Sequence, residues 1–201
     1  MKRLILLLLL LAANLGAVQI AVPTSDNTDG AWVECVGDGD ADHFDEIDET
    51  IAATDNATTF WSSDNNVTAL VTNLGPLTDP VSSTGHTFRV RSRKASATTC
   101  TSGSSNGGNL RVVVTLKQST TTIASFNSGQ MNSTWKTWEL TLSGAQADAI
   151  TDYTALNITV FCDKYAGGND RDCALSTVEF EVPDASAGGA RRRSSVSIIG
   201  E

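Results

Sequence analysis

The chain has 201 residues, of which 40% are hydrophobic and 18% charged, with a formal net charge of −9. That length supports one domain with a proper core. Abundant Gly, Thr, Ser and Asn with few charges suit an all-β extracellular domain better than a helical one, and the acidic balance argues against nucleic acid as a partner.

The N-terminus reads as an export signal over residues 1–17. Lys2 and Arg3 precede the unbroken apolar run from Ile5 to Ala13, which is too short to span a bilayer comfortably. A membrane is therefore expected as a partner only during export. The sandwich domain is expected over 18–183, and a linker and tail over 184–201. Val18–Val22 and Ala31–Glu34 read as opening edge strands, with SDNTDG as a turn between them.

The stretch GDGDADHFDEIDET follows, the densest acidic segment of the chain. Phe44, Ile47 and Ile51 recur at helical spacing, which predicts a short helix from about Asp42 to Ala52, with a strand as the alternative. Asp38, Asp40, Asp42, Glu46 and Glu49 fall at positions 1, 3, 5, 9 and 12 of a twelve-residue calcium loop. His43 stands at the sixth position, where the sharp turn wants Gly, and Asp45 at the eighth, where an apolar residue is usual. Calcium is the one metal these residues suggest. A solvated acidic loop is the competing reading.

Thr58–Trp61 and Val67–Val71 are β-rich. NLGPLTDPVSSTG is a loop in which Pro76 and Pro80 bar a central strand. The segment from His86 to Lys117 holds two long β-rich runs joined by a Gly/Ser/Asn stretch, which predicts a pair of antiparallel strands. In the first run Arg89, Arg91 and Arg93 alternate with Phe88 and Val90, forming a cationic ridge on one face. No Lys or Arg occurs from Ile5 to Phe88, and no Asp or Glu from Arg89 to Trp138. Carboxylates from the acidic region or from another subunit are expected against the ridge.

Thr121–Ser125 and Trp135–Leu142 read as further strands. Ser143 caps one or two helical turns to Ile150 that bridge two layers. Leu156–Phe161 and Leu175–Val182 complete a count of about nine strands. An all-β sandwich, jelly-roll-like and with one short helix, is the expected architecture; an immunoglobulin-like order fits the same pattern. Trp61, Trp135 and Trp138 are candidates for a sugar-stacking platform. Trp135 and Trp138 differ in strand parity, so at most one of them faces outward.

The four cysteines, Cys35, Cys100, Cys162 and Cys173, imply two disulfides in an exported chain. Cys162 and Cys173 flank the link between the last two strands and are the expected local pair, leaving Cys35 with Cys100. In the tail, Arg191, Arg192 and Arg193 precede the β-prone Val196, Ile198 and Ile199, a segment expected to be either disordered or docked, on its own sheet edge or by strand addition to a neighbouring subunit. No HExxH or promising Cys–His pairing is present, and no catalysis is expected.

FDEIDETIAATDNATTF, STGHTFRVRSRKAS, GGNLRVVVTLKQSTTTIAS and LTLSGAQADAITDYTALNITV, within residues 40–182, resemble β-sandwich proteins of tailed phages, prophages and metagenomes. That resemblance implies a virion or surface component. The chain differs from the pattern in its export signal and its cysteines. A secreted or surface-displayed structural module that partners itself or another surface or virion protein is the leading expectation. A carbohydrate-binding adhesion module, with glycans as partners, is the alternative.

Overall fold

A computed structural model describes residues 17–28, 30, 32–36, 43–54, 56, 59–62, 70–95, 109–166 and 172–185. These form eleven strands: β1 (Val18–Ala21), β2 (Pro23–Thr28), β3 (Trp32–Val36), β4 (Thr59–Ser62), β5 (Leu70–Leu74), β6 (Thr87–Ala95), β7 (Asn109–Gln118), β8 (Thr121–Asn127), β9 (Lys136–Thr141), β10 (Leu156–Ala166) and β11 (Asp172–Pro183). One α-helix, α1, spans Gly144–Asp148.

The strands make two antiparallel sheets. The six-stranded sheet runs β3-β4-β11-β6-β9, with β1 also paired to β11, and the five-stranded sheet runs β2-β5-β10-β7-β8. From β4 onward the chain alternates between layers at every connection except β7–β8. The resulting orders, β4-β11-β6-β9 against β5-β10-β7-β8, are those of a jelly roll. The fold is thus the expected all-β sandwich with one short helix.

Three local expectations are corrected. β6 and β7 do not pair with each other: β6 lies between β11 and β9, and β7 between β10 and β8. Their connection, residues 96–108, is far longer than the two to five residues of a hairpin. The real hairpin is β7–β8, closed by Ser119 and Thr120, with Ser119 at φ 53° as a tight antiparallel turn requires. The SDNT segment expected as a turn is strand β2. It pairs with β5 through two register shifts, the irregular pairing an edge position allows. Residues 43–53 form two separate 3-10 turns, Phe44–Glu46 and Ile51–Ala53, in place of one helix. Ile47 is fully buried, and its carbonyl accepts the Val178 N–H at 3.3 Å, so the backbone there is diverted to cover the edge of β11.

Alternation along each strand builds the core. Val90, Phe88, Val178, Phe180 and Val182 face inward from one sheet; Val112, Val114, Leu116, Ile158 and Val160 face them from the other. Phe88 meets Phe126 edge-on across the layers at 6.0 Å between centroids. A bulge between Leu175 and Thr177 shifts parity by one, so Cys173 and Leu175 before it, and Val178 and Phe180 after it, all point inward. Helix α1 begins with a complete capping box, Ser143 and Gln146 each satisfying the other's backbone. It carries the chain from β9 in one layer to β10 in the other, as expected.

Cys162 on β10 and Cys173 on β11 are bonded, with Cα atoms 5.8 Å apart. The pairing is the expected one, but the two strands belong to different sheets, so the bond ties layer to layer. Such bonds form and persist in oxidising compartments. Cys100 and the Cys35 side chain lie outside the described residues, as do residues 1–16, where an export signal is expected, and the tail residues Arg191, Arg192, Arg193, Val196, Ile198 and Ile199. Among the described residues no helix is long and apolar enough to cross a membrane.

Replacing Cys162 and Cys173 together by Ala will lower the unfolding free energy by about 2–4 kcal/mol. Urea denaturation under non-reducing conditions measures it. An unchanged midpoint would show that the two layers need no covalent tie.

Candidate functional site

The outer face of the six-stranded sheet carries the arginine ridge. Arg89 is a hub: its Nε donates to Glu139 at 2.7 Å, and Nη1 donates to Glu179 and Glu181, each at 2.8 Å. These carboxylates come from the flanking strands β9 and β11 and not from the acidic first third of the chain. Register explains this, since Arg89 lies opposite both Glu139 and Glu179. Glu179 is buried, and its second oxygen accepts the Ile51 N–H at 2.8 Å. Burial works against the Arg89 cation, but hydrogen bonds to Glu181, Glu139 and Glu179 outweigh it and hold the guanidinium above its ordinary range.

Arg91 donates to Asn56 at 2.8 Å and more weakly to Thr137 at 3.4 Å. Arg93 lies under the Trp135 ring at 4.6 Å, and burial holds its guanidinium below the ordinary value. Trp135 is half-buried on this outer face. Trp138 faces inward, packs on the core and donates its indole N–H to Ser92 at 3.0 Å. The Trp61 side chain lies outside the described residues, although its backbone pairs with Ala174. Trp135 and Trp138 therefore do not share a platform.

Of the acidic loop, Asp38, Asp40 and Asp42 lie outside the described residues. Glu46 is buried in the first 3-10 turn and Glu49 follows it. Among the described residues no group of three or more His, Cys, Asp or Glu is placed to hold a metal ion.

The outer face of the five-stranded sheet was not singled out from sequence, and it is the more suggestive of the two. On β10, Asn157, Thr159, Phe161, Asp163 and Tyr165 point away from the core; beside them on β7 lie Lys117, Thr115, Val113 and Arg111. Asn157 pairs in register with Asn73 on β5, and Thr115 with Ser125 on β8. Asn73 and Asn27 exchange amide hydrogen bonds at 2.8 and 3.0 Å, and Asn73 also donates to Ser25. Arg111 donates to Asp163 at 2.6 Å, and its guanidinium lies under the Tyr165 ring at 4.9 Å. Tyr165 is 42% exposed, while Phe161 is half-buried. The face thus combines two aromatic rings on one strand with a lattice of amides, hydroxyls and one ion pair. The signal was legible in the period-two alternation of NITVFCDKY, but it needed the inward assignment of Cys162 to say which set faces out.

No family model matches the chain, and no curated protein matches it. Among solved structures it is similar to a xylan-binding module of CBM15, with 13% identity over 84% of this chain and 98% of that one, at a TM-score of 0.39. It is also similar to TmCBM61 in complex with β-1,4-galactotriose, with 8% identity over 86% and 97% of the chains and a TM-score of 0.34. A third is a cyclase from Fischerella sp. TAU in complex with 4-(1H-indol-3-yl)butan-2-one, with 12% identity over 82% and 90% and a TM-score of 0.37. Likenesses this distant, joining binding modules and an enzyme, carry no argument about function.

Two outcomes follow for stability. Arg89→Met will cost roughly 3 kcal/mol, because Glu179 is left buried without its cation, whereas Arg91→Met will cost less than about 1 kcal/mol. Equal losses in urea denaturation would show that the Arg89 hub is no different from a surface contact. His86 is fully buried, with Nε2 at 2.7 Å from the Tyr153 hydroxyl; burial pushes its pKa down, against the Thr84 backbone, Asp79 and Asp148. A depressed folded pKa means that its contribution is fully present above the unfolded value near 6.5 and is lost as pH falls below it. His86→Gln will therefore flatten the loss of stability between pH 7 and 5, and parallel curves for the two proteins would contradict this.

Proposed function

We propose that this domain binds glycans across the outer face of the five-stranded sheet, as a binding module without catalysis. The observation that carries the reading is the juxtaposition of Phe161 and Tyr165 with Asn27, Asn73, Thr115, Ser125, Arg111 and Asp163. A pyranose offers apolar C–H faces ringed by hydroxyls. Aromatic rings cover the former, and amide, carboxylate and guanidinium groups pair with the latter. Four residues along a strand separate the two rings by about 13 Å, a span that suits an oligosaccharide better than a single sugar. Strand β10 holds the rings on a rigid sheet, so little ordering cost is added on binding.

A secreted or surface-displayed setting, on a cell or a virion, would present this face to glycans, and the layer-spanning disulfide favours such a setting. Self-assembly through the tail rests on residues outside the described ones, so the reading turns to the face whose side chains are in view.

A glycan array followed by calorimetry tests the proposal. Phe161→Ala and Tyr165→Ala will each weaken binding about tenfold, at an unchanged melting temperature for Tyr165→Ala. An array with no bound glycan, or variants that bind as tightly as the parent, would overturn the reading.

A further inference from the structure

At one end of the sandwich the loop of residues 79–83 faces α1 and the segment after it across a cavity of about 320 Å³. That volume lies at the small end of the roughly 300–1,000 Å³ typical of ligand pockets, the scale of a single compact molecule. The cavity stands apart from the Phe161–Tyr165 face and shares no residue with it.

Its walls are of two kinds. Ala147, Ile150 and Tyr153, each buried, line it with apolar surface and one phenol ring. Asp79, Ser82, Ser83 and Asp148 bring carboxylates and hydroxyls. Both carboxylates are held in place: Asp148 accepts from the Ser83 hydroxyl at 2.6 Å, and Asp79 accepts from the Val81 N–H at 2.7 Å. Neither has an ion-pair partner among the described residues. His86, which bonds to Tyr153 and interacts electrostatically with Asp79 and Asp148, is fully buried, and burial disfavours its cationic form.

Val81 closes the lining. It is a β-branched residue at φ 52°, a conformation such residues rarely adopt, and it is 90% exposed. Gly85 ends the loop at φ 80°, where an added Cβ would lie 2.9 Å from Pro183, so the loop is seated closely on the last strand. The loop, the helix and the buried floor together make a half-open cavity with two carboxylates that no described cation pairs and with Ala147, Ile150 and Tyr153 at its base.

We infer that this cavity binds a primary ammonium carried on a compact carbon frame. The carbon frame packs on Ala147, Ile150 and Tyr153, and the ammonium donates to Asp79 and Asp148 in charge-assisted bonds. The three donors of an ammonium match two carboxylates and one hydroxyl oxygen of Ser82 or Ser83. An amino sugar and a lysine side chain both supply this chemistry.

Titration of the full chain, followed by isotope-edited NMR and calorimetry, tests the inference with four probes: glucosamine, N-acetylglucosamine, Nα-acetyl-lysine methylamide and its Nζ-acetylated form. Saturable binding is expected for at least one free amine and for neither acetylated counterpart, with shifts at Ala147, Ile150 and Tyr153. Binding of glucosamine alone identifies a sugar source, and binding of the lysine amide alone a peptide source; either upholds the ammonium site. Asp79→Asn and Asp148→Asn keep the oxygens that accept from Val81 and Ser83, so both will fold, and each will weaken binding about tenfold. Acetylated and free probes binding alike, no saturable binding of either amine, or full affinity in both variants would overturn it. Tyr165→Ala leaves this site intact, so failure here and failure of the glycan face are read separately.

Discussion

The structure depends on two central strands, β10 and β11, that follow each other in the chain and yet lie in different layers. Each must be hydrogen-bonded along both edges, because backbone groups inside a sandwich have no water to turn to. β10 finds β5 and β7; β11 finds β6 on one edge and, on the other, β4, the Ile47 carbonyl and β1 in succession. Among the early segments, β1 and the Ile47 carbonyl thus help β4 complete that second edge, while β2 joins the other sheet beside β5. The Cys162–Cys173 bond then holds the two layers at one end of the core.

That arrangement determines what each outer face can offer. β11 is almost wholly buried, so Glu179 must be compensated, and Arg89 with the Ile51 N–H does so. The arginine ridge of the six-stranded sheet is thereby largely consumed by structure: Arg89 in a three-carboxylate hub, Arg93 against Trp135. The five-stranded sheet carries no comparable internal demand. Its outward amides, hydroxyls and aromatic rings bond mainly to one another at the surface, where a ligand with many hydroxyls meets them in turn.

The two proposed sites differ in kind. The sheet face is broad and rigid, built on adjacent strands, and suits an extended ligand. The end pocket is small and local, walled by a loop and a helix, with carboxylates that no described cation pairs. The first stands on regular strands; the second is built from a loop, α1 and the segment after it.

The sequence by itself determined the layer composition. Period-two alternation in Thr87–Ala95, Leu110–Leu116 and Val178–Val182 marks half-buried strands, Ser143 with Gln146 marks a capped helix, and the spacing of Cys162 and Cys173 marks a local bond. Those signals are carried by neighbours along the chain, which local sterics and polarity read directly. Tertiary structure alone decided that β6 and β7 part into different sheets, that the polar SDNT stretch is an edge strand, and that a bulge near Ser176 sets Cys173 and Phe180 on the same side. It also decided that Arg89 takes its carboxylates from β9 and β11, and that Asp79 meets Asp148 across a cavity. Each of these joins residues distant in sequence, and which strand pairs with which is settled by burial of the whole core, a quantity no single segment contains.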